Sequence, residues 1–111
     1  MDANFVPSYS AAVSAGIPRI DSYMFPCTGT QLSNDSACKD PATQLSEYLA
    51  NIDNNNLTID TLWFDIEPTN TSNGDACNAW NLGSDGNLAL AQQWITLLRS
   101  SGRKWGIYAN G

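Results

Sequence analysis

Apolar positions along the chain fall into six groups, and their spacing alternates between a helical and an extended period. Phe5, Tyr9, Ala12 and Val13 recur at helical spacing across 4–15, despite the early Pro7, and Gly16 is fit to end that helix. Ile20, Tyr23, Met24 and Phe25 form a short β-prone run within 19–25, closed by Pro26 and followed by polar chain from Cys27 to Asp40. Pro41 suits a first helical turn behind Asp40 as a cap. Leu45, Tyr48, Leu49 and Ile52 then mark one face of a second helix, which ends before the turn residues Asp53, Asn54, Asn55 and Asn56. The segment 59–66, Ile-Asp-Thr-Leu-Trp-Phe-Asp-Ile, predicts a buried strand that stops at Glu67-Pro68. Beyond a polar loop, Leu88, Ala91, Gln92, Ile95 and Leu98 predict a third helix ended by Gly102, and Trp105-Gly106-Ile107-Tyr108 predicts the next strand.

Helix and strand thus alternate three times. Strands separated by helices of this length pair in parallel through right-handed crossovers, so the expected class is α/β, either an open sheet or part of a (β/α) barrel. In both architectures ligands gather at the carboxyl ends of the strands. The 111 residues allow one modest domain.

Charge and composition narrow the partners. Eleven acidic against five basic residues give a net charge of −6, a field that repels nucleic acid and anionic membranes, so neither is expected as a partner. No apolar run approaches the roughly 20 residues of a spanning helix, and Met1-Asp2-Ala3-Asn4 lacks the basic and apolar regions of a secretory signal. The chain is expected to be soluble. Histidine is absent and Cys27, Cys38 and Cys77 show no C-x-x-C spacing, so a metal centre is not expected. A Cys27–Cys38 bridge would close a short loop and suit an oxidising compartment, leaving Cys77 odd, with its partner outside this piece. The sequons at Asn34, Asn56 and Asn70 fall in polar, loop-like stretches; each is either a glycan acceptor or a chance occurrence in an Asn-, Ser- and Thr-rich chain.

The candidate chemistry lies at the end of the second strand. Asp65 and Glu67 are two apart, so their side chains share one face, with Cα atoms roughly 6.6 Å apart at about 3.3 Å per residue. Glycosidic cleavage needs one carboxyl group that holds its proton and another group that stays ionised near the oxocarbenium-like centre. Mutual repulsion and the apolar flank of Trp63, Phe64 and Ile66 should raise the pKa of one member. Glu67, with the longer side chain, is assigned as general acid. Alone, an Asp-x-Glu at a strand end is equally a helix cap, a cation site or a solvated loop start.

Three strand motifs in order add context: Asp21-Ser22-Tyr23-Met24-Phe25-Pro26-Cys27, then Leu62-Trp63-Phe64-Asp65-Ile66-Glu67-Pro68, then Gly106-Ile107-Tyr108. In these the chain resembles the glycoside hydrolase family 25 lysozymes, particularly a cysteine-containing eukaryotic branch. The resemblance covers nearly the whole chain, residues 1–111 reading as part of one catalytic domain. It implies about the third to fifth strands of a modified, TIM-like (β/α) barrel. It also implies retaining cleavage of the bond between N-acetylmuramic acid and N-acetylglucosamine in the peptidoglycan of bacterial cell walls, without a cofactor. Glu67 would be the proton donor, and Asp65 would position or stabilise the substrate's acetamido group as internal nucleophile. The parent protein would be extracellular, or lysosomal or phagosomal.

The family's first-strand aspartate and its last-strand acidic and aromatic residues have no counterpart here. Uncovered parallel edges would invite self-association. Tyr23, Tyr108 and Asn110 are candidate substrate-binding residues. Tyr23 and Phe25 share a face, for which packing in the core is the expectation preferred to sugar stacking. Trp63 and Trp105 are expected in core or helix-facing layers, and Trp80 either stacks on a sugar or anchors its loop. Two rivals stand beside this reading. A chitinase-like family 18 hydrolase would place Asp60, Asp65 and Glu67 in register, but Trp63 stands where that pattern needs an aspartate. A carbohydrate-binding or degenerate lysozyme-like protein would bind without turnover.

Overall fold

A computed structural model describes residues 2–28, 38–67, 78 and 80–109. Its elements follow the expected order: α1 (Phe5–Ser14), β1 (Ser22–Met24), α2 (Pro41–Asn54), β2 (Leu62–Ile66), α3 (Gly83–Ser100) and β3 (Trp105–Ala109). The three strands form one parallel sheet in the order β1-β2-β3, so each helix between strands serves as a crossover and β2 is central.

Local chemistry explains the boundaries. The Asp40 carboxylate accepts the Thr43 N–H at 3.0 Å, Pro41 opens α2 where no N–H is needed, and Asn56 (φ 53°) turns the chain beyond its end. Gly16 and Gly102 take positive φ after α1 and α3, the stops anticipated for both. Asn56 itself lies exposed in its turn, whereas the sequons at Asn34 and Asn70 fall outside the described residues. A disulfide joins Cys27 and Cys38, with Cα atoms 5.5 Å apart; Cys77 also lies outside the described residues.

The core sits on one side of the sheet only. Leu62 and Phe64 of β2 meet Leu45, Tyr48 and Ile52 of α2 and Trp94 and Leu98 of α3. At its centre the Phe64 and Trp94 rings lie 5.0 Å apart, both essentially without solvent exposure. Ser22 carries a hydroxyl into this layer, and the Tyr48 hydroxyl meets it at 2.5 Å, so neither is left without a partner. The α3 face differs from expectation. Leu88 and Gln92 are exposed and Ile95 is half-buried, while Trp94 and Leu98 turn inward with Leu90 and Leu97 beside them. The largest side chain of the helix decides the orientation, because a Trp buries on the order of 200 Å² and offers more contact to Phe64 than Leu88 or Ile95 could. Helix α1 touches the core lightly through Phe5, whose ring lies 6.3 Å from that of Tyr48, and Val13 is exposed.

At the amino ends of the strands a polar clasp sets the register. The Asp60 carboxylate meets Arg19 at 3.0 Å and Lys104 at 3.1 Å, while main-chain bonds join Asp60 N–H to the Ile20 carbonyl and Leu62 N–H to the Lys104 carbonyl. The exposed ion pairs add little energy, and the backbone bonds carry the alignment. Replacing Trp94 with alanine is expected to cost about 3–5 kcal/mol in urea denaturation, against under about 0.5 kcal/mol for Leu88→Ala on the exposed face of the same helix.

Candidate active site

Strand parity divides β2 between two environments. With Leu62 and Phe64 packed against the helices, Trp63, Asp65 and, beyond the strand end, Glu67 emerge on the opposite face. Register brings Tyr23 beside Trp63 and Tyr108 beside Asp65. Together with Phe25 these residues line an open cleft of about 490 Å³ on the helix-free face of the sheet. Asp65, Glu67, Tyr23 and Tyr108 are therefore brought together as expected, whereas Asn110 lies outside the described residues.

Two expectations are overturned here. Trp63 does not enter the core; it faces the cleft with 37% of its surface exposed. The two-residue repeat forces this, since the inward positions are held by Leu62 and Phe64. Tyr23 and Phe25 do share a face, but it is the open one: their rings form an edge-to-face pair 5.5 Å apart, both exposed. Trp105, by contrast, packs against the helix-side core, and Trp80 lies partly buried against that same core. Asp60 sits at the opposite end of β2, tied to Arg19 and Lys104 and away from the acidic pair.

The two acids differ in setting. Asp65 is 6% exposed, and its Oδ1 has no hydrogen-bond partner among the described residues although Asp65 lines the cleft. Burial pushes its pKa above the ordinary aspartate value, and the negative charge of Glu67 adds to the shift. Glu67 is half-buried at the rim. Its main-chain carbonyl accepts the Asn78 side-chain amide at 2.8 Å.

Asn78 belongs to a buried polar scaffold that sequence reasoning missed. Thr28 and Asn78 are both buried and pair across an isolated parallel bridge, the Trp80 N–H donates to Thr28 Oγ1 at 3.0 Å, and the Asn87 amide donates to the Trp80 carbonyl at 2.7 Å. Gln44 on α2 holds the Cys27 peptide from both sides, accepting its N–H at 2.8 Å and donating to its carbonyl at 3.1 Å. These bonds tie the chain leaving β1 to the chain leaving β2, beside Glu67. Polar residues inside polar stretches gave no sequence signal. Among the described residues no group of three or more His, Cys, Asp or Glu is placed to hold a metal ion, and no helix is long and apolar enough to cross a membrane.

A carboxylate pair on a cleft walled by exposed aromatic rings is an arrangement suited to carbohydrate. The family model described as lysozyme-like protein 1 matches residues 1–111. The chain belongs to this lysozyme-like family. Lysozyme-like protein 5 of Caenorhabditis elegans is 28% identical over 110 residues, which is 99% of this chain and 44% of that relative. The chain thus spans less than half the length of the curated relative it matches. No solved structure matches it.

The raised Asp65 pKa has a signed consequence for stability. A carboxyl whose folded-state pKa exceeds its unfolded value near 3.8 binds its proton more tightly when folded, so wild-type stability declines as pH rises through that interval. Asp65→Asn removes the term. We expect this lysozyme-like variant to be more stable than wild type in urea denaturation at pH 7, with the gain disappearing as the pH falls below the ordinary aspartate value of 3.8.

Proposed function

We propose that the chain carries the acid-bearing strands of a glycoside hydrolase family 25 muramidase, which cleaves the β-1,4 bond between N-acetylmuramic acid and N-acetylglucosamine in bacterial peptidoglycan. The observation that carries this reading is the pairing of buried Asp65, whose Oδ1 has no partner among the described residues, with rim-placed Glu67 on one open, aromatic-walled face. Family membership supports the lysozyme class in general. The Asp-x-Glu strand end and its neighbouring motifs support family 25 within it, and with it the arc of a (β/α) barrel.

The roles follow from reach along the strand and not from the raised pKa, which belongs to Asp65. Glu67, at the strand end with the longer side chain, reaches the glycosidic oxygen and donates its proton as the bond to the leaving sugar breaks. Asp65 lies one alternation deeper. Its ionised carboxylate accepts the acetamido N–H of the sugar, which turns the acetamido oxygen toward the anomeric carbon as internal nucleophile. Water then opens that intermediate with overall retention, the Glu67 carboxylate taking the water's proton. Tyr23 and Tyr108 bracket the pair across the sheet and offer rings to sugar faces and hydroxyls to sugar oxygens. Oδ1 of Asp65, partnerless in the free protein, gains a partner when the acetamido group arrives, which makes the desolvated acid a binding device.

An oxidising setting, extracellular or lysosomal, suits the Cys27–Cys38 disulfide. The edges of β1 and β3 provide the route by which a second copy would associate. A second reading, glycan binding without turnover, is favoured by the breadth of the open aromatic face. The two separate in an assay of reducing-end release and turbidity on bacterial cell walls. Glu67→Gln is expected to lower turnover roughly a thousandfold while changing cell-wall binding by less than about threefold. Equal lytic activity in the variant would refute the assignment of Glu67, and wild-type binding with no reducing ends released would select the binding protein.

A further inference from the structure

Trp63 is held at both ends. Its indole Nε1–H donates to the Asp21 carboxylate at 3.1 Å, on the chain entering β1. Its six-membered ring rests on β3 at Gly106, where a Cβ would fall 2.5 Å from Cζ3 and 2.8 Å from Cε3. Real Cβ atoms do not approach so closely, so only glycine lets the ring lie there. The indole therefore spans all three strands, from the β1 side across β2 to β3, with the remaining exposed surface turned into the cleft beside Asp65.

Asp21 is built to hold that position. Besides Trp63 it accepts the Thr61 N–H at 3.2 Å and the Arg19 guanidinium at 3.3 Å, so its two oxygens are fixed from three directions. The Trp63 N–H, with Arg19 and Thr61 behind it, keeps this carboxyl below the ordinary aspartate value and hence ionised. A charged acceptor holds an N–H more firmly than a neutral one. None of this serves the core, which lies on the other face of the sheet.

We propose that Trp63 is a stacking platform for a pyranose ring of the N-acetylhexosamine class at the floor of the cleft, and that Asp21 is the positioning residue that sets its angle. The proposal rests on the reading of the cleft as a glycan site. A large ring immobilised before binding loses little further freedom when a sugar covers it, so its contact area converts into affinity with a small entropic cost. Gly106 serves the same end by letting the ring lie low, which leaves room for a sugar above.

The test is an NMR titration of the 111-residue chain, indole-¹⁵N labelled, with chitotetraose as probe. The Trp63 signal is assigned by its loss in Trp63→Phe, a variant that keeps a ring but not the N–H. The account predicts that sugar moves the Trp63 Nε1–H resonance. It further predicts that Asp21→Ala weakens affinity about tenfold, while the same change in the Trp63→Phe background alters it by less than about twofold. Asp21→Asn, which preserves shape and one acceptor oxygen, is expected between wild type and Asp21→Ala and supplies the comparison if the alanine variant does not fold. Sugar bound with the Trp63 resonance unmoved, or an equal Asp21 effect in both backgrounds, overturns the platform and leaves the glycan reading standing. A folded wild-type chain that binds no chitotetraose overturns both.

Discussion

The packing of Phe64 against Trp94 is the contact on which the rest depends. With those rings and Leu62 committed to the helix side, β2 has no freedom of register: a slip of one residue would drive Asp65 into an apolar layer and expose Phe64. Hydrophobic burial on one face thus decides which side chains appear on the other. The cleft follows from the core through the pleat of a single central strand, and the flanking strands add Tyr23 and Tyr108 by register.

That arrangement leaves polar and aromatic groups in places a stability argument alone would not choose. Parallel sheets are ordinarily covered on both faces, yet here Tyr23, Phe25, Trp63 and Tyr108 stand exposed around a desolvated acid without a partner for Oδ1. Several buried polar groups near the site are tied down: Ser22 by Tyr48, Thr28 by Trp80, Asn78 by Glu67. Asn51 Oδ1, Trp80 Nε1 and Trp94 Nε1 are likewise buried without a partner among the described residues, and of these four groups only Asp65 lines the cleft.

Much of this was legible in the chain itself. The six elements and their order followed from hydrophobic spacing, and their ends from Pro41, Gly16 and Gly102, because those signals are local. The pairing of Asp65 with Glu67 followed from strand period. What failed was the assignment of faces. Hydrophobicity favours the core for Trp63 and for the Tyr23–Phe25 pair, but parity with Phe64 turns Trp63 outward, and register with Trp63 carries Tyr23, and Phe25 two residues on, to the same open face. On α3 the Leu88 stripe looked as apolar as the true one, and only the bulk of Trp94 separates them. Thr28, Asn78 and Gln44 were invisible because their roles depend on partners 11 to 52 residues away.

The central claim is that one strand places two unlike carboxyl groups on an open cleft, the deeper one desolvated and electrostatically coupled to its neighbour. Its most direct test is a ¹³C-carboxyl NMR titration of Asp65 and Glu67 in the 111-residue chain and in Glu67→Gln. The account predicts an Asp65 midpoint above the ordinary aspartate value of 3.8, moving downward when Glu67→Gln removes the neighbouring charge while staying raised by burial. An Asp65 midpoint at or below 3.8, unaffected by the substitution, would contradict the account.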